Sequence, residues 1–167
     1  PALLACTERL SWLLSQGTFC CDTAIVYPVA DAEADAEHGA LAVQTAFSAG
    51  QTLYREGIDF DFLDFESIVS SRLLTSPSRL AAGDARYRAV VLPDMRAVRY
   101  EMLEKLVLFA ESGGIVVVLG DLPKYSDRLG RGMELMTRRL ARRAIFARPE
   151  TLPEVLHAQF TVDFFAP

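Results

Sequence analysis

Three aspartates occupy positions where they could carry acid–base chemistry. Asp64, Asp94 and Asp121 each follow a short strand-like stretch of sequence, and Tyr125 comes soon after the last of them. If these stretches are strands of one parallel sheet, the four side chains share a rim at the carboxyl ends of the strands, where open α/β sheets bind ligands. Two carboxylates there could form the acid–base pair that hydrolyses a glycosidic bond. Carboxylates at strand ends also cap the following helices by accepting backbone N–H bonds, and we favour this interpretation.

The cysteines give no sign of a redox, metal or nucleophilic site. Cys6, Cys20 and Cys21 are odd in number and form no Cys-x-x-Cys pair, so we expect neither a disulfide framework nor a metal clip. A nucleophile elbow would place Ser or Cys at the turn after the strand-like stretch 115–119, but Asp121 stands there.

The turn after the first strand-like stretch lacks the glycines that let backbone approach a pyrophosphate. We therefore expect no metal ion, no nucleotide and no other cofactor.

Strand-like and helical stretches alternate along the chain, and their order predicts how the rim is built. Short apolar runs predict strands at 23–27, 60–65, 89–93, 115–119 and 144–147. Apolar residues at helical spacing predict helices at 2–16, 38–55, 100–112, 132–143 and 152–157. The segment 66–86 has a weaker pattern, with a short helical piece and a turn at Ser76-Pro77. Short connections between alternating elements imply right-handed crossovers. The prediction is a doubly wound, flavodoxin-like α/β domain with a mainly parallel sheet of about five strands.

The two ends of the chain depart from this pattern. A length of 167 residues fits a single domain, which we place at 1–167. The sequence starts in a helical apolar pattern with no basic n-region before a cleavage site, so we expect no signal peptide and interpret the chain as an excised fragment. The apolar stripe of this first helix consists of Leu3, Leu4, Leu10, Leu13 and Leu14, and Trp12 lies off the stripe. Trp12 could therefore pack against a neighbouring element. At the other end, 160–165 is predicted to be an extended strand that leaves the domain.

Charge and hydropathy argue against two classes of partner. The net charge of −5 gives no general drive toward nucleic acid or a membrane. No apolar run reaches the roughly 18 to 20 residues that a membrane span needs. Seven arginines nevertheless crowd the stretch 128–148. They could form a docking face for an acidic partner or nucleic acid, or a solvated face that pairs with the chain's carboxylates, and we favour the second.

Two groups of short motifs carry a resemblance to a known class of domain. The first group is 10–17 (LSWLLSQG) followed by 22–28 (DTAIVYP). The second is 57–64 (GIDFDFLD), followed by 87–93 (YRAVVLP) and 111–116 (ESGGIV). In order and spacing they resemble the middle α/β domain of bacterial glycoside hydrolases such as the alpha-L-rhamnosidases of family 106. The same kind of domain, built like a class I glutamine amidotransferase, follows the catalytic barrel of family 42 beta-galactosidases and helps them to trimerise.

The resemblance implies a non-catalytic structural or oligomerisation module of a glycoside hydrolase. In such enzymes the glycosidic chemistry belongs to the preceding barrel, so 1–17 would be the tail helix of that barrel and 160–167 the start of a link to a following domain. The implied partners are the barrel and neighbouring domains of the parent chain, or another copy of it. Glutamine amidotransferases place a Cys nucleophile at a turn like Gly120-Asp121-Leu122, and Asp121 departs from that pattern. A soluble protein of the bacterial cytoplasm, or a secreted one, would fit.

Two rival functions stay open. A small hydrolase or amidotransferase-like enzyme would need a reactive thiol, but Cys20 and Cys21 lie just before the first strand and away from its carboxyl end. A sugar-binding module would use the rim of Asp64, Asp94 and Tyr125. We expect no catalytic residue in this chain.

Overall fold

The computed structural model describes residues 2–16, 20–29, 33, 36–128 and 132–160. Its helices are α1 (Ala2–Leu14), α2 (Ala36–Arg55), α3 (Phe65–Ser70), α4 (Tyr100–Glu111), α5 (Met133–Ala141) and α6 (Leu152–Phe160), with a 3₁₀ turn at Pro149–Thr151. The strands are β1 (Thr23–Val26), β2 (Phe60–Leu63), β3 (Arg72–Thr75), β4 (Ser78–Ala82), β5 (Ala85–Tyr87), β6 (Ala89–Leu92), β7 (Ala97–Val98), β8 (Ile115–Leu119), β9 (Tyr125–Ser126) and β10 (Ile145–Ala147).

The main sheet consists of five parallel strands in the order β2-β1-β6-β8-β10. Thr23 pairs with Phe60 on one side and with Ala89 on the other, and Ala89 also pairs with Ile115. Every side chain of β1 and β6 is buried, as expected for parallel strands that are covered on both faces. The predicted α/β class and the parallel sheet of five strands are therefore confirmed.

Successive side chains of the central strands alternate between two apolar cores, because side chains along a strand point to opposite faces. Ile25 and Val91 belong to one core, together with buried side chains of α2 and α6. Ala24 and Val90 belong to the other, together with buried side chains of α3, α4 and α5. The helices thus cover both faces of the sheet, and the turns that leave its strands all lie at one edge.

A second sheet stands where the sequence predicts only a weak segment. Strands β3, β4 and β5 form an antiparallel sheet between α3 and β6. The turn expected at Ser76-Pro77 does separate β3 from β4. These strands are short and rich in Ser, Arg and Ala, so they carry little of the alternation from which strands are predicted. Leu80 and Tyr87 pair across the sheet and are both buried, which joins it to the core.

Some predicted bounds are wrong by a few residues. The strand predicted at 60–65 ends at Leu63, because Asp64 caps α3 and Phe65 begins that helix. The loop after β8 contains β9, which pairs with β7. Helix α6 extends through Phe160, so an extended strand does not begin there, and the rest of that predicted strand lies outside the described residues. No helix in the described part of the chain is long and apolar enough to cross a membrane.

Candidate functional site

The four rim residues lie at the carboxyl ends of the parallel strands or just beyond them. Asp64 directly follows β2, whereas one residue separates Asp94 from the end of β6 and one separates Asp121 from the end of β8. Strand β1 lies between β2 and β6, so Asp64 and Asp94 belong to strands roughly 10 Å apart. Strands β6 and β8 are neighbours, and the loops that follow them meet. The fold therefore brings Asp94 and Asp121 together and keeps Asp64 apart from them.

Asp94 and Asp121 contact each other through a backbone hydrogen bond. The Asp121 N–H donates to Asp94 Oδ1 at 3.0 Å. Gly120, which precedes Asp121, has a φ of +90° that favours glycine, and a Cβ added there would lie 2.5 Å from Asp94 Cγ. The Asp121 carboxylate faces solvent, where its Oδ2 lies 3.4 Å from Lys124 Nζ. Asp94 thus fastens the turn after β8 to the turn after β6.

Asp64 is the N-cap of α3. Its Oδ1 accepts a hydrogen bond from the Ser67 N–H at 2.7 Å. Hydrogen bonds from the Ser67 hydroxyl and backbone N–H hold the pKa of Asp64 below its ordinary value, because they stabilise the charged form. A general acid needs a raised pKa, so this shift has the wrong direction for one.

A group of charged residues that sequence reasoning missed surrounds the start of α4. Asp127 Oδ1 accepts a hydrogen bond from the Tyr100 N–H at 2.8 Å. Arg99 forms an ion pair with Glu66, and its Nε lies 3.9 Å from Asp127 Oδ2. One feature of the sequence could have indicated this group. Helix α4 begins after Arg99, which is not a capping residue, so the first N–H groups of α4 need an acceptor from elsewhere in the chain. Nothing in the sequence indicates that Asp127 supplies it.

Asp64 and this group line a cleft of about 450 Å³ at the rim. Its lining residues are Val29, Glu33, Asp64, Phe65, Glu66, Arg99 and Asp127. Asp94, Asp121 and Tyr125 are not among them. Tyr125 instead pairs with Ala97 through β9, donates its backbone N–H to the Arg96 carbonyl at 2.9 Å, and has a side chain that is 65% exposed. The predicted rim is therefore divided into two parts. One is the cleft beside Asp64, and the other is the pair of turns that the hydrogen bond between Asp94 and Asp121 joins.

The candidate thiols lie at the opposite edge of the sheet. Cys20 and Cys21 precede β1, and Cys21 is buried with its thiol donating to the Thr23 carbonyl at 3.2 Å. Burial raises the pKa of Cys21 to about 11. In β5, the Tyr87 hydroxyl donates to Asp61 Oδ2 at 2.8 Å, and burial raises the pKa of Tyr87. A thiol held protonated is a poor nucleophile, so Cys21 lacks the property that a catalytic cysteine needs.

Three arginines of the arginine-rich stretch pair with carboxylates of the same chain. Arg128 lies 2.7 Å from Glu101, and Arg138 pairs with Glu134 one turn away. Arg139 donates to both carboxylate oxygens of Glu111, at 2.9 and 2.7 Å. These pairs correspond to the solvated, paired face that we favoured from the sequence.

Helix α1 presents a different kind of surface. Every side chain from Leu3 to Leu14 is exposed, including Trp12 at 66% and Leu14 at 82%. None of the leucines of α1 joins either apolar core. The helix therefore leaves an apolar surface uncovered.

Comparison with protein-family models, curated proteins and solved structures found no match to this chain. Within the described ranges, no group of three or more His, Cys, Asp or Glu side chains is arranged to hold a metal ion.

We predict that Asp64→Ala lowers the free energy of unfolding by about 1 kcal/mol at pH 7, because α3 loses its cap. Asp64→Asn keeps an acceptor and should lose less stability.

The folded-state pKa of Asp64 is lowered, so its charge stabilises the fold above the unfolded-state pKa. This stabilisation is lost as pH falls through the folded-state value. The advantage of the wild type over Asp64→Asn should therefore shrink in acid. Urea denaturation at pH 7 and pH 3 measures both effects. A gain in stability for Asp64→Ala would instead indicate a strained functional carboxylate.

We also predict that a thiol reagent near neutral pH labels Cys6 and Cys20 in the folded chain but leaves Cys21 unreacted. The first two are exposed, whereas Cys21 is buried and protonated. Peptide mapping of the labelled protein identifies each site, and the same reaction in urea should label Cys21 as well. Rapid labelling of Cys21 in the folded protein would favour the rival enzyme.

Proposed function

We propose that this chain is a non-catalytic structural or oligomerisation module of a carbohydrate-active glycoside hydrolase, with a flavodoxin-like domain of the class I glutamine amidotransferase type. Taken along the chain, the five parallel strands have the spatial order 2-1-3-4-5, which flavodoxin-like folds share. The order supports this finer fold assignment, and the motifs at 57–64 and 87–93 support the link to glycoside hydrolases.

The exposed helix α1 is the observation that carries the proposal. It has 13 residues, and a helix of this length is marginal in water unless it packs against something. Burial of an exposed leucine contributes roughly 1.5 to 3 kcal/mol, and α1 offers Leu3, Leu4, Leu10, Leu13 and Leu14. A surface of this kind is suited to another domain or subunit, which is what a structural module needs.

The rim residues also support the proposal, because they hold backbone in place. The Asp64 carboxylate caps α3, and Asp94 fastens two turns together, so each has a structural task. The turn after β8 offers Asp121, a solvent-facing carboxylate, where an amidotransferase would place its nucleophile. The buried thiol, Cys21, has a raised pKa and lies at the other edge of the sheet.

A second candidate function is a sugar-binding module. The cleft of about 450 Å³ beside Asp64 favours it, because clefts of this volume hold small ligands and polar groups line this one. Glu66 is already paired with Arg99, and Asp127 with the Tyr100 N–H, so a sugar would have to displace these partners.

Aryl-glycoside assays test the proposal. The chain should release no nitrophenol from nitrophenyl rhamnosides or galactosides above the rate of a matched Asp94→Asn, Asp121→Asn double variant, whose fold is checked by circular dichroism. Hydrolysis by the wild type that the double variant lacks would overturn the proposal.

Calorimetry with rhamnose, galactose and their oligomers separates the second candidate. We expect no heat of binding. Heat that disappears in Arg99→Gln, but remains in a variant at the exposed Leu135, would assign the cleft to a sugar.

A further inference from the structure

The apolar side chains of α1 form a seam with coiled-coil spacing. Leu3, Cys6, Leu10 and Leu13 are separated by three, four and three residues, which is the a/d spacing of a heptad, and Leu14 flanks them. We call this set the α1 stripe. All its side chains are exposed, none is charged, and it runs for about 15 Å along the helix. A seam of this kind packs lengthwise along another helix.

The outer side of α2 carries a second uncovered seam. Ala40, Phe47 and Tyr54 recur every seven residues, with Gln44 and Gln51 between them, and all five are exposed. We call this set the α2 stripe. The opposite side of α2 is buried against the sheet through Ala42, Ala46, Ala49 and Leu53. The α2 stripe is also uncharged, and it is about 21 Å long, so the α1 stripe fits within its length.

Aromatic rings widen the α2 stripe toward the edge of the sheet. The Phe47 ring is 5.3 Å from that of Phe62 on the edge strand β2 and 6.3 Å from that of Tyr27. Phe47 is 53% exposed and Tyr54 is 79% exposed, although large aromatic side chains gain most from burial. The outward surface of the α2 stripe is therefore uncharged and carries two large exposed aromatic rings.

We propose that the α1 stripe of one copy of this chain packs along the α2 stripe of a second copy. This inference rests on the proposed function, because it names the partner and the surface of an oligomerisation module. Each chain carries both stripes, and the described residues of its own chain cover neither of them. In a closed assembly every copy donates α1 and accepts α1 from a neighbour, and a twofold dimer is the smallest such assembly.

The available area supports a second copy as the occupant. The leucines of the α1 stripe are 52% to 82% exposed, and Phe47 and Tyr54 of the α2 stripe are 53% and 79% exposed. A copy that uses both stripes therefore offers more apolar area than either stripe alone toward the roughly 800 Å² that each partner of a standard interface buries. Because both stripes are uncharged, their contact would bury no unpaired charge.

Light scattering coupled to size exclusion tests the inference on the full chain. At high micromolar concentration, we expect a mass that is a multiple of the 18.4 kDa chain mass. Leu10→Glu on the α1 stripe and Tyr54→Glu on the α2 stripe should each raise the dissociation constant about tenfold or more. Leu135→Glu, at an exposed leucine of α5 outside both stripes, is the matched control and should leave the mass unchanged. Circular dichroism checks that each variant is folded.

Mixing the two stripe variants tests which surfaces meet. The Tyr54→Glu copy retains an intact α1 stripe and the Leu10→Glu copy retains an intact α2 stripe, so together they should form mixed oligomers that neither forms alone. If the Tyr54→Glu variant assembles as the wild type does, the inference is overturned, and α1 packs on α1 of a second copy. A monomeric wild type would also overturn it, since α1 would then pack on its own chain or on a different partner. Neither result depends on glycoside hydrolysis, so the inference can fail while the proposed function stands, and hydrolytic activity would refute the proposed function whatever the mass.

Discussion

In a parallel sheet, the chain must cross back from the carboxyl end of one strand to the amino end of the next. Here each of these crossovers also covers one face of the sheet. Helix α2 leads from β1 to β2, α4 from β6 to β8, and α5 from β8 to β10. Because β1 and β6 are buried on both faces, loss of either helical layer would expose them to water. The same constraint sends the turns after β2, β6 and β8 to one edge, which is why Asp64, Asp94 and Asp121 lie there.

The turns at that edge use their carboxylates to hold backbone in place. Asp64 caps α3, Asp127 accepts from the first N–H of α4, and Asp94 accepts from the Asp121 N–H. In each case an acceptor satisfies a backbone donor that no ladder or helix supplies with a partner. Polar residues at the ligand-binding edge of an α/β sheet thus have a structural task here, and their presence alone is weak support for chemistry.

Most of the parallel core was predictable from sequence because its strands are continuous apolar runs between helices with clear periodicity. The stretch 115–119 is the clearest case, and β8 has those bounds. Strands β3, β4 and β5 were not predictable, because none of them has a strong strand pattern in its own sequence. They are stabilised by pairing with one another. At the rim, the cap at Asp64 follows from its place before a helix. The role of Asp127 does not, because it lies 27 residues from the Tyr100 N–H that it accepts from.

Helix α1 differs from the rest of the chain because its apolar residues do not face the sheet. Amide hydrogen exchange of the full chain, followed by mass spectrometry at low and high protein concentration, tests this separation most directly. We expect amides of β1, β6 and β8 to exchange only on global unfolding at both concentrations, whereas amides of α1 exchange quickly in dilute solution and slowly once copies assemble. Exchange of α1 in dilute solution as slow as that of the central strands would contradict the account, because α1 would then belong to the folded core of its own chain.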